Sequence, residues 1–404
     1  MTHMPEAFLR NFALPAAAIL VFAGCTELPP LIAPATPACP ACAECRECPA
    51  PARPAEARYQ QAPFAAIPGW QEAALAPGVQ AFGAGCKRIA QSHPLRPACD
   101  ILSASPPGDE RAARQFVEAS FSAWAVTSAD GRAEGLITGY YEPVIAGSRS
   151  RTERFGQPVY GVPDDLVAVD LENVIPELKG LRLRGRLEGN RLVPYPSRGE
   201  IESRTPFRAP VLAWVEDPVE LFFLQIQGSG QIELESGERL RLGYGDQNGH
   251  PYRSMGRYLI QRGELALEQA SMQGIKAWAA ANPRKLRGAL DSNPSYVFFR
   301  QMPDTPDGPL GTLGASLTAG HSIAVDPRSV PLGAPVFLAT TMPLSSQPLV
   351  RLMAAQDTGG AIRGAVRADF FWGAGTEAGT LAGRMRQQGR MWILWPRGEN
   401  LPKP

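Results

Sequence analysis

The apolar stretches in the body of this chain are short, and glycine or proline ends nearly all of them. Ser322-Ile-Ala-Val325, Pro335-Val-Phe-Leu338, Val350-Arg-Leu-Met-Ala-Ala355 and Met391-Trp-Ile-Leu-Trp395 run a few residues each before a turn former appears. Strand-length runs at such close spacing build a small β-barrel, not a helical bundle. The 40 Gly and 40 Pro among 404 residues, about a tenth each against the usual ~7% and ~5%, say the same of the whole chain. Hydrophobic residues at 44% and charged residues at 20% suffice for a packed core, and the length suits two domains. A net charge of +1 excludes a nucleic-acid binder that works through bulk charge. Four scattered histidines make an imidazole-rich metal site a poor reading, and no metal or other cofactor is expected.

The first 25 residues read as an export signal. Arg10 precedes the apolar run Phe12–Phe22, too short to span a bilayer comfortably, and Ala23-Gly24-Cys25 closes it. Small residues before a cysteine look like a bacterial lipobox, in which Cys25 is acylated and becomes the mature N-terminus. Two or three acyl chains would hold the protein stably on a membrane. Thr26, where an aspartate would retain the protein at the inner membrane, points to the periplasmic face of the outer membrane. Residues 26–65 read as a linker, with eight prolines between Thr26 and Pro54. Within it, Cys39, Cys42, Cys45 and Cys48 have only superficially the spacing of iron–sulfur ligands, and an oxidising compartment favours disulfides or metal scavenging. Cys86 and Cys99, 13 residues apart, read as a structural disulfide.

From residue 66 the chain reads as folded protein. Asp109–Trp124 has Ala113, Phe116, Val117, Phe121 and Trp124 at helical spacing. Gly135–Val144 is a strand carrying Tyr140, Tyr141 and Glu142, and adjacent residues on a strand face opposite ways. Further strands are expected at Val159–Val162, Val211–Trp214, Leu221–Gln227 and Gln231–Leu242, with Gly228-Ser229-Gly230 as a hairpin turn between the last two. Helices are expected at Ser254–Arg262 and Leu267–Ala281.

Three aspartates lie in the C-terminal segment. Asp326 precedes Pro327 and Asp357 precedes Thr358-Gly359-Gly360, contexts in which a carboxylate commonly caps a turn. Asp369 has no turn signal and is followed by Phe370-Phe371-Trp372. Desolvation there would raise its pKa, as a proton donor near neutral pH requires. Asp357-Thr-Gly is shared with aspartic peptidases, but those need two such aspartates and this chain has one.

With these residues the chain resembles the membrane-bound lytic murein transglycosylase A family. The resemblance rests on Gly139-Tyr-Tyr-Glu-Pro143, Tyr195-Pro-Ser-Arg-Gly-Glu-Ile201, Phe222-Phe-Leu-Gln-Ile-Gln-Gly-Ser-Gly230 and Asn293-Pro-Ser-Tyr-Val-Phe-Phe299. It extends through Leu317–Pro327, Pro331-Leu-Gly333 and Ala355–Gly373. It implies a mainly β fold, a double-psi β-barrel with an inserted second β-rich domain and a few flanking helices. The domains would be 66–146 (N-terminal helices and first barrel segment), 147–298 (insert) and 299–404 (the three-aspartate segment). The implied partner is a peptidoglycan glycan strand, bound in a groove between barrel and insert and cut between N-acetylmuramic acid and N-acetylglucosamine. Asp369 would act as acid and then base, supported by Asp357 and Asp326. Tyr140, Tyr141, Glu142, Gln225 and Gln227 would line the groove. The alternatives are a muramidase, with Glu142 or Asp357 activating water, and a wall-binding lipoprotein without catalysis.

Overall fold

The computed structural model describes residues 57–175, 178, 181–204, 207–303 and 308–401. The signal, Cys25 and the Cys39–Cys48 tract lie outside the described residues. The chain enters with β1 (Arg58–Ala62), followed by α1 (Ala76–Cys86), α2 (Arg96–Ala104), α3 (Glu110–Ser120), β2 (Phe121–Thr127) and β3 (Gly135–Glu142). The next region holds β4 (Val144–Ser148), β5 (Gln157–Tyr160), β6 (Val167–Val169), β7 (Leu183–Glu188), β8 (Arg191–Pro194), α4 (Arg198–Ser203) and β9 (Val211–Val215). It continues with α5 (Pro218–Gln227), β10 (Gly230–Leu234), β11 (Arg239–Gln247), α6 (Met255–Gln261), α7 (Met272–Ala281), α8 (Pro283–Asp291) and β12 (Val297–Gln301). The last stretch is β13 (Ser322–Val325), β14 (Pro335–Thr341), β15 (Pro348–Thr358), β16 (Ala368–Ala374), α9 (Gly375–Arg384) and β17 (Arg386–Pro396).

The last stretch and β3 form the expected barrel. Its strands run β17-β14-β15-β13-β16-β3, and β3 pairs back onto β17, so the ring closes without a free edge. Two pairs in it, β13 with β15 and β16 with β3, are parallel; the rest are antiparallel. The long β17 makes closure possible, pairing with β3 through Arg386–Gly389 and with β14 through Arg390–Ile393. Ile137, Ile323, Val325, Val336, Met353 and Phe370 fill the interior, and α1 seals one side. Gly78 lets α1 approach, because a Cβ there would stand 2.4 Å from the Leu352 carbonyl oxygen. Cys86 and Cys99 form a disulfide between α1 and α2, a loop closure that contributes roughly 3 kcal/mol.

β12-β11-β10-β4-β9-β5 make a second sheet, and a bridge from Gly161 to Phe299 brings its two edges together. A small separate sheet, β6-β7-β8, was not expected from the sequence.

Several expectations need correction. The linker does not reach residue 65: β1 pairs with β2 along its whole length, and Tyr59 donates a 2.6 Å hydrogen bond to the Ser329 carbonyl. The second sheet runs from β4 to β12, so it starts before residue 147 and ends after residue 298. The helix expected over Asp109–Trp124 stops at Ser120, and the inward-outward alternation of Phe121–Thr127 makes that stretch β2. Leu221–Gln227 is helical, not a strand. Asp217 caps α5 by accepting from the Val219 and Glu220 N–H groups, Pro218 stands in its first turn, and Gly228 ends it at φ 76°. Gly228-Ser229-Gly230 is therefore a helix exit, and the actual hairpin joins β10 to β11. The helix expected over Leu267–Ala281 is broken: Leu267–Gln269 form a 3-10 turn, and Ser271 caps α7 through the Gly274 N–H.

Candidate active site

The two faces of β3 separate the site from the core. Ile137 points into the barrel and is fully buried, so Thr138 and Tyr140 point out of it. On β16, Ala368 and Phe370 point inward and Asp369 outward, in register with Thr138. Thr138 donates a 2.6 Å hydrogen bond to Asp369 Oδ1, and Thr138 Oγ1 accepts one of 2.8 Å from Arg367 Nη2. Burial pushes the Asp369 carboxyl above its ordinary value; the Thr138 bond and the Arg367 charge pull it down without cancelling this, and the Asp357 charge adds to the rise.

Asp357 ends β15 nearby. Its Oδ1 accepts from the Thr312 N–H, the Thr312 hydroxyl and the Thr358 N–H, each at 2.9 Å. Its Oδ2 accepts from the Tyr140 hydroxyl at 3.2 Å. Burial outweighs these bonds, so the Asp357 carboxyl is also raised. Tyr140 leans on Phe371, ring centres 5.2 Å apart, and burial with the Asp357 and Asp369 charges holds its hydroxyl firmly protonated. The neighbouring Gln356, fully buried, fixes the strand end by donating to the Ala81 carbonyl on α1 and accepting from Ser322.

Asp326 stands apart from this pair. It is 1% exposed and accepts from Arg328 Nε, Arg328 Nη2 and the Arg328 and Gly364 N–H groups. Burial would raise it, but the Arg328 and Gly364 bonds outweigh burial and hold it below its ordinary value. It fastens the loop that leads into β16.

The groove candidates divide. Tyr141, on the core face of β3, meets Met272 Sδ through its hydroxyl, and its N–H donates to Gln227 Oε1 at 3.3 Å. Gly379 on α9 lies beneath its ring, where a Cβ would come within 2.8 Å. Tyr141 and Gln227 share a cavity of about 240 Å³ with Phe223, Tyr252, Ser271 and Met272, between β3 and α9 on one side and α5, α6 and α7 on the other. Neither Asp357 nor Asp369 lines it. Two candidates do not face a groove. Glu142 is 1% exposed, accepts from Gln231 Nε2 at 2.8 Å and lies 3.7 Å from Arg241 Nε. Gln225 is 3% exposed on the inner side of α5, its amide at the Tyr296 hydroxyl. Glu142 sits where the second sheet needs a buried polar partner, whereas neither amide atom of Gln225 makes a hydrogen bond of ordinary geometry among the described residues. The sequence reading missed Thr138 and Arg367. Period-two spacing from Tyr140 marked Thr138 as sharing its face, and Arg367 stands two residues before Asp369, just ahead of β16.

The comparisons with known proteins match this architecture. The MltA specific insert domain matches residues 136–300 and the 3D domain residues 321–395. The membrane-bound lytic murein transglycosylase A of Escherichia coli K12 is 34% identical over 296 residues, covering 71% of this chain and 72% of that protein. The chain belongs to the MltA family. Among solved structures, MltA from Neisseria gonorrhoeae superposes with a TM-score of 0.77 at 40% identity, covering 88% of this chain and 100% of that one. Escherichia coli MltA with bound chitohexaose superposes at 0.63 and 28% identity, covering 84% and 94%. The boundaries of the MltA insert match fall close to the junctions at β3 and β12 where the chain leaves and re-enters the barrel. No helix among the described residues is long and apolar enough to cross a membrane.

Proposed function

We propose that this MltA-family protein is a lytic transglycosylase that cuts peptidoglycan between N-acetylmuramic acid and N-acetylglucosamine and leaves a 1,6-anhydro end. The observation that carries this is the Asp369 carboxyl, desolvated on the outer barrel face and raised in pKa. A raised carboxyl keeps its proton for transfer to the glycosidic oxygen. As the bond to the aglycone breaks, the C6 hydroxyl of the same muramic acid attacks C1, and Asp369 takes that hydroxyl's proton. The nucleophile is part of the substrate, so proximity replaces a second catalytic carboxylate and no water is consumed. The bound chitohexaose of the Escherichia coli relative supports a glycan-strand substrate. Tyr140 would meet sugar beside the acid, Tyr141 and Gln227 from the adjoining cavity, and Asp357 would hold Tyr140 and the proton in place. Cys25 would carry the lipid anchor, with the linker reaching from the outer membrane to the wall.

A muramidase needs a carboxylate to activate water, and neither alternative suits it. Glu142 is occupied inside the second sheet, and Asp357 Oδ1 already takes three donors. The test is mass spectrometry of muropeptides released from purified sacculi, using a soluble form that retains β1, beside Asp369→Asn. Anhydro-muropeptides, one water lighter than hydrolytic products and absent with the variant, are expected. Reducing ends would overturn the lyase reading, and sacculus binding without release would leave a wall-binding protein.

A further inference from the structure

Hydrogen-bond direction around Asp369 can be worked out atom by atom. An arginine side chain only donates, and a threonine hydroxyl has one proton. Arg367 Nη2 donates to Thr138 Oγ1, so the Thr138 proton goes to the other partner in reach, Asp369 Oδ1 at 2.6 Å. Arg367 cannot swing away freely, because its Nη1 also donates to the Leu136 carbonyl on β3 and the Ala368 carbonyl on β16. One guanidinium thus clamps the parallel strand pair at the level of the acid and orients the hydroxyl between them. A proton on Oδ1 would confront the Thr138 hydrogen, whereas Oδ2 takes no hydrogen bond among the described residues. We infer that Arg367, acting through Thr138, fixes which oxygen of Asp369 reacts: Oδ1 is held as an acceptor, and Oδ2 carries the proton that is donated and later recovered.

This rests on Asp369 being the acid and adds two positioning residues to it. Their effect changes through the cycle: the Thr138 bond is neutral while Oδ2 is protonated and charge-assisted once the proton has left. Burial alone would make Asp369 too reluctant an acid, and the Arg367–Thr138 pair opposes burial. The titratable and charged groups that bear on Asp369 are Arg367 on the approach to β16, Asp357 on β15 and Tyr140 on β3. β13 presents uncharged Ala324 opposite it, and on β17 Arg386 is the register partner of Thr138.

The test compares the full chain with Thr138→Val, Thr138→Ser, Arg367→Met and Arg367→Lys, measuring kcat, KM and the pH dependence of release from sacculi. Thr138→Val and Arg367→Met should each lower kcat about tenfold or more, the loss of one hydrogen bond to a charged group. Their alkaline limb, where the acid loses its proton, should move up by about one pH unit with KM unchanged. Thr138→Ser should restore both kcat and the limb, and Arg367→Lys, which keeps the charge and loses the fork, should fall between. Difference infrared spectra against Asp369→Asn follow the same carboxyl directly, so a variant with no measurable turnover is still informative. A slower enzyme whose limb and carboxyl band stay in place would reduce the pair to a strand clamp and overturn the inference. So would a Thr138→Val enzyme with normal rates. Reducing-end products would refute the lyase reading alone, since the limb shift judges the relay whichever product forms.

Discussion

Asp326→Asn tests whether the third aspartate holds the barrel together or takes part in the chemistry. The carboxylate is 1% exposed, with Arg328 Nε and N–H on Oδ1 and Arg328 Nη2 and the Gly364 N–H on Oδ2. Asparagine keeps one acceptor and turns an NH2 against the two donors on the other side. The Arg328 side chain is 49% exposed, so its lost ion pair is worth only about 1 kcal/mol or less. The Gly364 N–H, left facing another donor, costs about 1–3 kcal/mol. The expected loss is thus about 1–4 kcal/mol at pH 7, read from urea denaturation midpoints at constant slope. The Asp326 carboxyl is depressed in the folded state, so its stabilisation is complete above its unfolded value near 3.8 and fades as pH falls below that. The gap between wild type and variant should therefore be full at pH 5 and narrow below pH 3.8. Under conditions where both are folded, the alkaline limb of activity should stay where Asp369 sets it. An unchanged midpoint at pH 7, or a displaced limb with normal stability, would refute the structural assignment.

Asp369→Asn should act oppositely on stability. Its carboxyl is raised by burial, so its contribution is favourable below pH 3.8 and is lost as pH rises through the folded value. The inactive variant should unfold at higher urea than wild type at pH 7, by about 1.4 kcal/mol for each unit of displacement, with the advantage gone below pH 3.8; equal midpoints at pH 7 would argue against desolvation. A fragment starting at Phe64 loses β1, the Tyr59–Ser329 bond and the cover of the β2 edge. It should lose about 2–3 kcal/mol and associate through β2, as calorimetry and light scattering would show, whereas a fragment starting at residue 57 should not.

The barrel was legible because its apolar runs are short and ended by turn formers, and β13, β14, β15 and β17 fall on the runs read from the sequence. α5 was not, because it is apolar on nearly every side. Leu221 and Leu224 pack on the second sheet while Val219 and Phe222 pack on α6, α7 and α8, which erases the helical period. The cap Asp217, Pro218 and the exit Gly228 were the usable signal, and reading Gly228-Ser229-Gly230 as a hairpin turn put Gln225 on a strand. As a helix residue it turns inward to Tyr296. Glu142 failed for a related reason. It ends β3 where the chain crosses into the second sheet, so its surroundings are set by Gln231 and Arg241, about ninety or more residues later in the sequence.

Three aspartates in one barrel segment end up with different properties, and their partners account for the difference. Asp326 has an arginine and a backbone N–H, so it stays charged and acts as a fastener. Asp357 accepts as many bonds, but from neutral groups, and these do not offset its burial. Asp369 has one direct donor, Thr138, and its cation acts on it one hydroxyl removed. Moving Arg367 into direct contact would make Asp369 resemble Asp326, a fixed carboxylate unable to give up a proton it no longer holds. Removing Arg367 would leave an acid too weak to release its proton and an anion too costly to form. A reaction that needs one group to donate and then accept requires something between these limits. The intervening threonine supplies that by attenuating a full positive charge to a single oriented hydrogen bond.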